Sequence, residues 1–145
     1  MRIAEWELGR GEGGMTKSEL VARMKRFALE VIRLVESLPR GRTADALGGQ
    51  LLRAGTSPGA NYRAACRARS VADFVSKMGI VEEELDESMY WLDLLVEAAI
   101  VPRAKVDTLL KEANELLAIT VASIKTARGG ARSLSSRRTR AAPIQ

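Results

Sequence analysis

Between residues 71 and 99, Phe74, Met78, Val81, Leu85, Met89, Leu92, Leu95 (or Val96) and Ala99 recur at steps of three and four. A period of about 3.6 residues returns such positions to one side of a rod, so this run fits one long helix and not an alternating strand. The spacing stays near the coiled-coil value of roughly 3.5 over several turns, the seam of helices lying side by side. A helix with one apolar stripe must bury it against other elements. The rest of the chain supplies helices for that purpose. Ala, Leu, Val, Glu and Arg dominate, aromatic residues make up 4%, and strand-type alternation is hard to find. The expected fold class is all-α.

A first helix is expected over 17–38. Thr16-Lys17-Ser18-Glu19 has the form of a capping box, in which the Thr16 hydroxyl accepts from the Glu19 amide and the Glu19 carboxylate accepts from the Thr16 amide. Leu20, Met24, Phe27, Val31, Leu34 or Val35, and Leu38 form its stripe, and Pro39, Arg40 and Gly41 stop it. A second helix begins near Thr43 with Leu47, Leu51, Leu52 and Ala54 on its inner side. Gly48, Gly49, Gly55 and Gly59 weaken it by about 1 kcal/mol each. Pro58 removes a backbone hydrogen bond, so helix 2 is expected to be interrupted near Pro58, with close packing and a kink over 56–59.

Ser70-Val71-Ala72-Asp73 is a second capping signature and opens helix 3 over 71–99. Pro102 suits the first position of a fourth helix, continued by Val106, Leu109, Leu110, Ala113, Leu116, Leu117, Val121 and Ile124 to about residue 128. Gly129-Gly130 then reads as a stop. The organisation expected is a flexible N-terminal arm over 1–15, an antiparallel up-down-up-down four-helix bundle over 16–128 and a disordered Arg/Ser-rich tail over 129–145. Met15 is a candidate start codon.

Charge is placed unevenly. Over 53–77 the ionisable residues are Arg53, Arg63, Arg67, Arg69, Asp73 and Lys77; over 78–102 they are Glu82, Glu83, Glu84, Asp86, Glu87, Asp93, Glu97 and no cation. A basic helix leading into an acidic one suggests pairing, within the chain or between identical subunits. Arg132, Arg137, Arg138 and Arg140 supply four of the net +5 charges, which leaves residues 1–128 close to neutral. High pI therefore describes the tail more than the fold.

Histidine is absent and Cys66 is alone, so Ser-His and Cys-His nucleophiles, zinc sites and internal disulfides cannot be built. Gly9–Gly14 lacks the strand and the Lys-Ser/Thr ending of a phosphate loop. Stacked carboxylates on helix 3 lack the Glu-x-x-His pair of di-metal bundles. No catalytic residue, metal or cofactor is expected. No apolar run reaches the ~20 residues of a membrane span, and the N-terminus lacks the apolar core of a signal peptide, so a cytoplasmic protein with no membrane partner is expected.

Arg53-Ala54-Gly55-Thr56-Ser57, Gly59-Ala60-Asn61, Ser70, Asp73-Phe74, Lys77, Glu84, Glu87-Ser88 and Tyr90-Trp91-Leu92 together resemble the signature of the four helix bundle protein family. That family includes proteins encoded by intervening sequences of bacterial 23S rRNA genes and is related to the accessory proteins of diversity-generating retroelements. The resemblance implies small cytoplasmic bundles without catalytic activity, assembled as homo-oligomeric rings of five. The retroelement relatives form a basic barrel that binds nucleic acid and a reverse transcriptase. This chain departs from the basic barrel, because its folded part is near neutral and helix 3 is acidic.

Two functions follow as expectations: a nucleic-acid-associated scaffold, binding RNA or DNA, or an adaptor ring that binds a protein partner such as a reverse transcriptase. For the first, Arg53, Arg63, Arg67 and Arg69 with Arg132, Arg137, Arg138 and Arg140 are candidate phosphate contacts. The helix 2 arginines read equally as salt-bridge partners between helices or subunits. Asn61, Tyr62, Glu84, Glu87, Tyr90 and Trp91 are candidate oligomer or helix-pair contacts, with Tyr90 and Trp91 also suited to base stacking.

Overall fold

A computed structural model describes residues 14–140. Four helices follow in order: α1 (Lys17–Glu36), α2 (Arg42–Ala65), α3 (Val71–Glu97) and α4 (Asp107–Arg140), the last entered through a 3-10 turn (Arg103–Lys105). Among the described residues there is no strand.

The helix ends follow local chemistry. Thr16 Oγ1 accepts from the Glu19 amide at 3.1 Å and Glu19 Oε2 accepts from the Thr16 amide at 2.9 Å, so both halves of the capping box form. At Ser70 only the first half forms: its Oγ accepts from the Asp73 amide at 3.0 Å, while the Asp73 carboxylate turns to Lys77 Nζ at 2.6 Å. α3 closes with the Ile100 amide donating to the Leu95 carbonyl at 3.0 Å and the Ala99 amide to the Val96 carbonyl at 2.9 Å. That closure needs a left-handed residue after the cap, and Ala99 supplies it at φ 59°. Pro102 does not open α4. It stands in extended backbone before the 3-10 turn, and Asp107 begins the helix, an acid at its positive end.

Leu20, Met24, Phe27, Val31 and Leu34 of α1 and Phe74, Met78, Val81, Leu85, Leu92 and Leu95 of α3 are buried, as their spacing requires. On α2 the inward face is made of small residues: Ala44, Gly48, Ala54, Gly55 and Pro58 join Leu51 and Tyr62. Leu52, expected inside, is exposed. A Cβ at Gly55 would lie 2.8 Å from Val31 Cγ1, one at Gly48 3.0 Å from Leu38 Cδ1, and one at Gly59 3.7 Å from Met24. Rising positions on α2 meet falling positions on α1, so the two helices run antiparallel with their backbones close. α1 and α4 are antiparallel too. Arg23 reaches Glu112 and Glu115, whereas Leu34 and Ser37 share a surface groove with Lys105, Thr108 and Leu109. Two buried hydroxyls are satisfied locally: those of Ser88 and Thr120 each donate to the carbonyl one turn back, at 2.8 Å.

Two further expectations are corrected. Helix 2 is not interrupted near Pro58, because α2 runs unbroken from Arg42 to Ala65 with Pro58 in its interior. An internal proline costs ~3 kcal/mol in a helix. Here its ring is buried and its neighbours are small enough to admit α1, so tertiary burial outweighs local preference. Side chains also occupy carbonyls around it: Thr56 Oγ1 donates to Leu52 O at 2.7 Å and Asn61 Nδ2 to Ser57 O at 3.0 Å. The second correction concerns the tail. α4 continues through Gly129-Gly130 to Arg140, so residues 129–140 extend the helix and are not disordered. The glycine pair costs roughly 2 kcal/mol of propensity, which weakens a helix without forbidding it. Ala127 is buried, and Gly130 and Ala131 are half-buried, so packing still supports the chain as it crosses the pair. Of the expected N-terminal arm, residues 1–13 lie outside the described residues, as do 141–145.

Candidate nucleic-acid interface

The antiparallel pairings decide where the charges gather. The start of α1, the end of α2 with the corner at 66–70, and the end of α4 all lie at one end of the bundle. At that end Arg63, Arg67 and Arg69 are exposed on α2 and the corner, and Lys125, Arg128, Arg132 and Arg137 are exposed on α4. Lys125, Arg128 and Arg132 follow at steps of three and four and therefore share one side of α4. Arg138 and Arg140 belong to the last turns of the same helix. No acid occurs in the sequence after Glu115. Among the described residues, none of Arg63, Arg67 or Arg69 forms an ion pair.

Arg53 stands apart from this group. Its Nη1 donates to Glu84 Oε2 at 3.0 Å and to Oε1 at 3.2 Å, and its Nη2 donates to Glu87 Oε1. The guanidinium thus ties α2 to α3 and is committed to two carboxylates. Glu87 also accepts from Trp91 Nε1 at 3.2 Å, and the Tyr90 ring meets Trp91 edge-on with centroids 5.0 Å apart. Trp91 is half-buried and Tyr90 is 59% exposed. Tyr62 lies wholly within the core, and Asn61 is half-buried, bonded to Ser57 of its own helix. The exposed acids Glu83, Asp86, Asp93 and Glu97 lie with these aromatics on α3. The sequence reading missed a second inter-helix link: Arg23 Nε donates to Glu112 Oε1 at 2.8 Å and Nη2 to Glu115 Oε2 at 2.8 Å. Partial burial disfavours the charged guanidinium, but the bonds to Glu112 and Glu115 and their attraction outweigh it, so its pKa is raised. Stability from that shift is present below the ordinary arginine pKa and is lost only as pH rises above it, so it is constant across the neutral range. Partners separated by 89 and 92 residues leave no local signal.

The outward side of α4 has a second character. Asn114, Leu117, Ala118, Val121, Ala122 and Lys125 line a shallow open groove, turned away from the buried Leu116, Thr120, Ile124 and Ala127. Along this side the surface passes from apolar residues to the cations Lys125, Arg128 and Arg132. Among the described residues no cluster of acids and cysteine could hold a metal ion, and no helix is long and apolar enough to cross a membrane.

These features define an α-helical bundle with a basic end and an acidic, aromatic-bearing helix. Residues 16–122 match the family described as 23S rRNA-intervening sequence protein, and the chain belongs to that family. Among solved structures it is similar to a protein of unknown function from the S23 ribosomal protein family of Bacteroides thetaiotaomicron, with 31% identity and a TM-score of 0.72 over 77% of this chain and 100% of that one. No curated protein matches the chain. The cationic end of α4 lies beyond the residues that the family pattern matches.

Proposed function

We propose that the protein is a non-enzymatic, cytoplasmic, homo-oligomeric scaffold, a ring of five as the family resemblance implies, that binds nucleic acid through its basic end. One observation carries this reading: seven exposed cations, Arg63, Arg67 and Arg69 with Lys125, Arg128, Arg132 and Arg137, collect at the end where α4 has no acid to neutralise them. Phosphate contact supplies affinity without catalysis and without base readout. Arg53, held by Glu84 and Glu87, takes no part. Self-association is supported by α4 having apolar side chains on two sides, one inside its own bundle and one along the outward groove. Repeating the basic end around a ring would add avidity.

A second reading, an adaptor that binds a basic protein partner, is favoured by the exposed Tyr90 beside the acids of α3. Titrating the full chain and the R128A/R132A/R137A variant with RNA and DNA oligonucleotides over a salt series separates the two. Binding by the full chain that falls steeply with salt and is lost in the variant supports the scaffold. No binding by the full chain puts the adaptor first.

A further inference from the structure

The cations and the exposed aromatic groups sit on different parts of the molecule, and that separation narrows the kind of nucleic acid the basic end fits. Proteins that hold single strands combine a basic track with aromatic side chains on which bases stack. No Phe, Tyr or Trp occurs after Trp91, so α4 has none. Phe27, Tyr62 and Phe74, on the other three helices, are buried in the core. Tyr90 and Trp91 lie on α3 among carboxylates that repel phosphate. A site of this composition gains affinity from phosphate charge alone. Phosphate charge is densest on a duplex, at one charge per ~1.7 Å of axis against ~3.4 Å along one strand.

The carrier of the charge is also suited to a duplex. From Lys125 to Arg137 the cations are fixed on a continuous helix and not on a flexible tail, with Arg128 and Arg132 one turn apart on one side. A helix that is already formed has less chain entropy to lose on meeting the phosphate lattice than an unstructured tail of the same charge. The acidic side of α3 favours an orientation that presents the end of α4 to the duplex and keeps α3 away from it.

We infer that the basic end, centred on the α4 extension bearing Lys125, Arg128, Arg132 and Arg137, binds the phosphate backbone of double-stranded nucleic acid in preference to single strands and without distinguishing sequence. This rests on the nucleic-acid reading above. The test is binding of the full-length protein to a 20-base-pair RNA duplex, a DNA duplex of the same sequence and each separated strand, at two salt concentrations. The expected result is at least about tenfold tighter binding to both duplexes than to any strand at low salt. Both duplexes should bind with similar affinity, and the preference should vanish in R128A/R132A/R137A with the helical circular dichroism retained. Strands bound as tightly as duplexes would overturn this inference and leave the nucleic-acid reading standing. A duplex preference unchanged in the triple variant would overturn the assigned site. A tenfold preference for one duplex over the other would overturn recognition by phosphates alone. Failure to bind any of these duplexes or strands would overturn both readings.

Discussion

At the residue scale, small side chains decide how closely the helices approach. Gly55 and Gly49 lie on the same helix, yet a Cβ at Gly55 meets both Val31 methyl carbons at 2.8 Å, while one at Gly49 meets nothing within 4 Å. Gly55→Ala should therefore destabilise the fold by about 1–3 kcal/mol through overpacking, and Gly49→Ala should stabilise it by up to about 1 kcal/mol through helix propensity. Chemical denaturation of the two variants checks the opposite signs. Ala99 offers a third case. It is exposed and left-handed at φ 59°, a conformation that costs an L-residue roughly 1–2 kcal/mol, so Ala99→Gly should raise the unfolding midpoint. A lower midpoint would show that the closure of α3 is not strained. Sequence alone marks these glycines as weak helix formers in a stretch suited to close packing. Which of them touches a neighbour depends on Val31, 24 positions away from Gly55, and spacing along one helix does not contain that information.

At the element scale, the legible parts are those fixed by local chemistry. The Thr16 capping box, the Ser70 cap and the buried stripes of α1 and α3 could be read from neighbouring residues, because a hydroxyl reaching an amide three positions on is a local event. Pro58 and Gly129-Gly130 misled for the opposite reason. Each lowers local helix propensity, and each lies in a helix that packing against other elements keeps intact. The extension of α4 beyond the glycine pair should therefore be its most easily opened stretch, with slow exchange up to Ala127 and faster exchange towards Arg140. A Cβ at Gly129 meets nothing within 4 Å, so Gly129→Ala should slow amide exchange over 125–137 by up to about fivefold. Exchange that stays fast in the variant would mean that the extension is not helical in solution.

At the scale of the whole molecule, the bundle has one basic end, one acidic helix and one helix with two apolar sides. Opposite charges along the sequence pointed to pairing between helices 2 and 3, and Arg53 with Glu84 and Glu87 makes that pair. Which arginines would be consumed by it was not legible, because it depends on the register of α2 against α3. The same holds for Arg23, whose partners come from the far end of the chain. Val121 lines the outward groove of α4 and is half-buried. The self-association proposed through this groove predicts that Val121→Glu shifts the protein towards monomer in sedimentation while helicity stays unchanged; a sedimentation profile identical to that of the unsubstituted chain would count against the groove as the contact.

On the proposed function, the end of α4 holds nucleic acid by phosphate contact. The salt dependence of duplex binding tests it most directly, measured for the full chain and for R128A/R132A/R137A. The plot of log affinity against log salt should be shallower in the variant by roughly one unit per arginine contact removed, with affinity lost most at low salt. Equal slopes and equal affinities in the two proteins would contradict it.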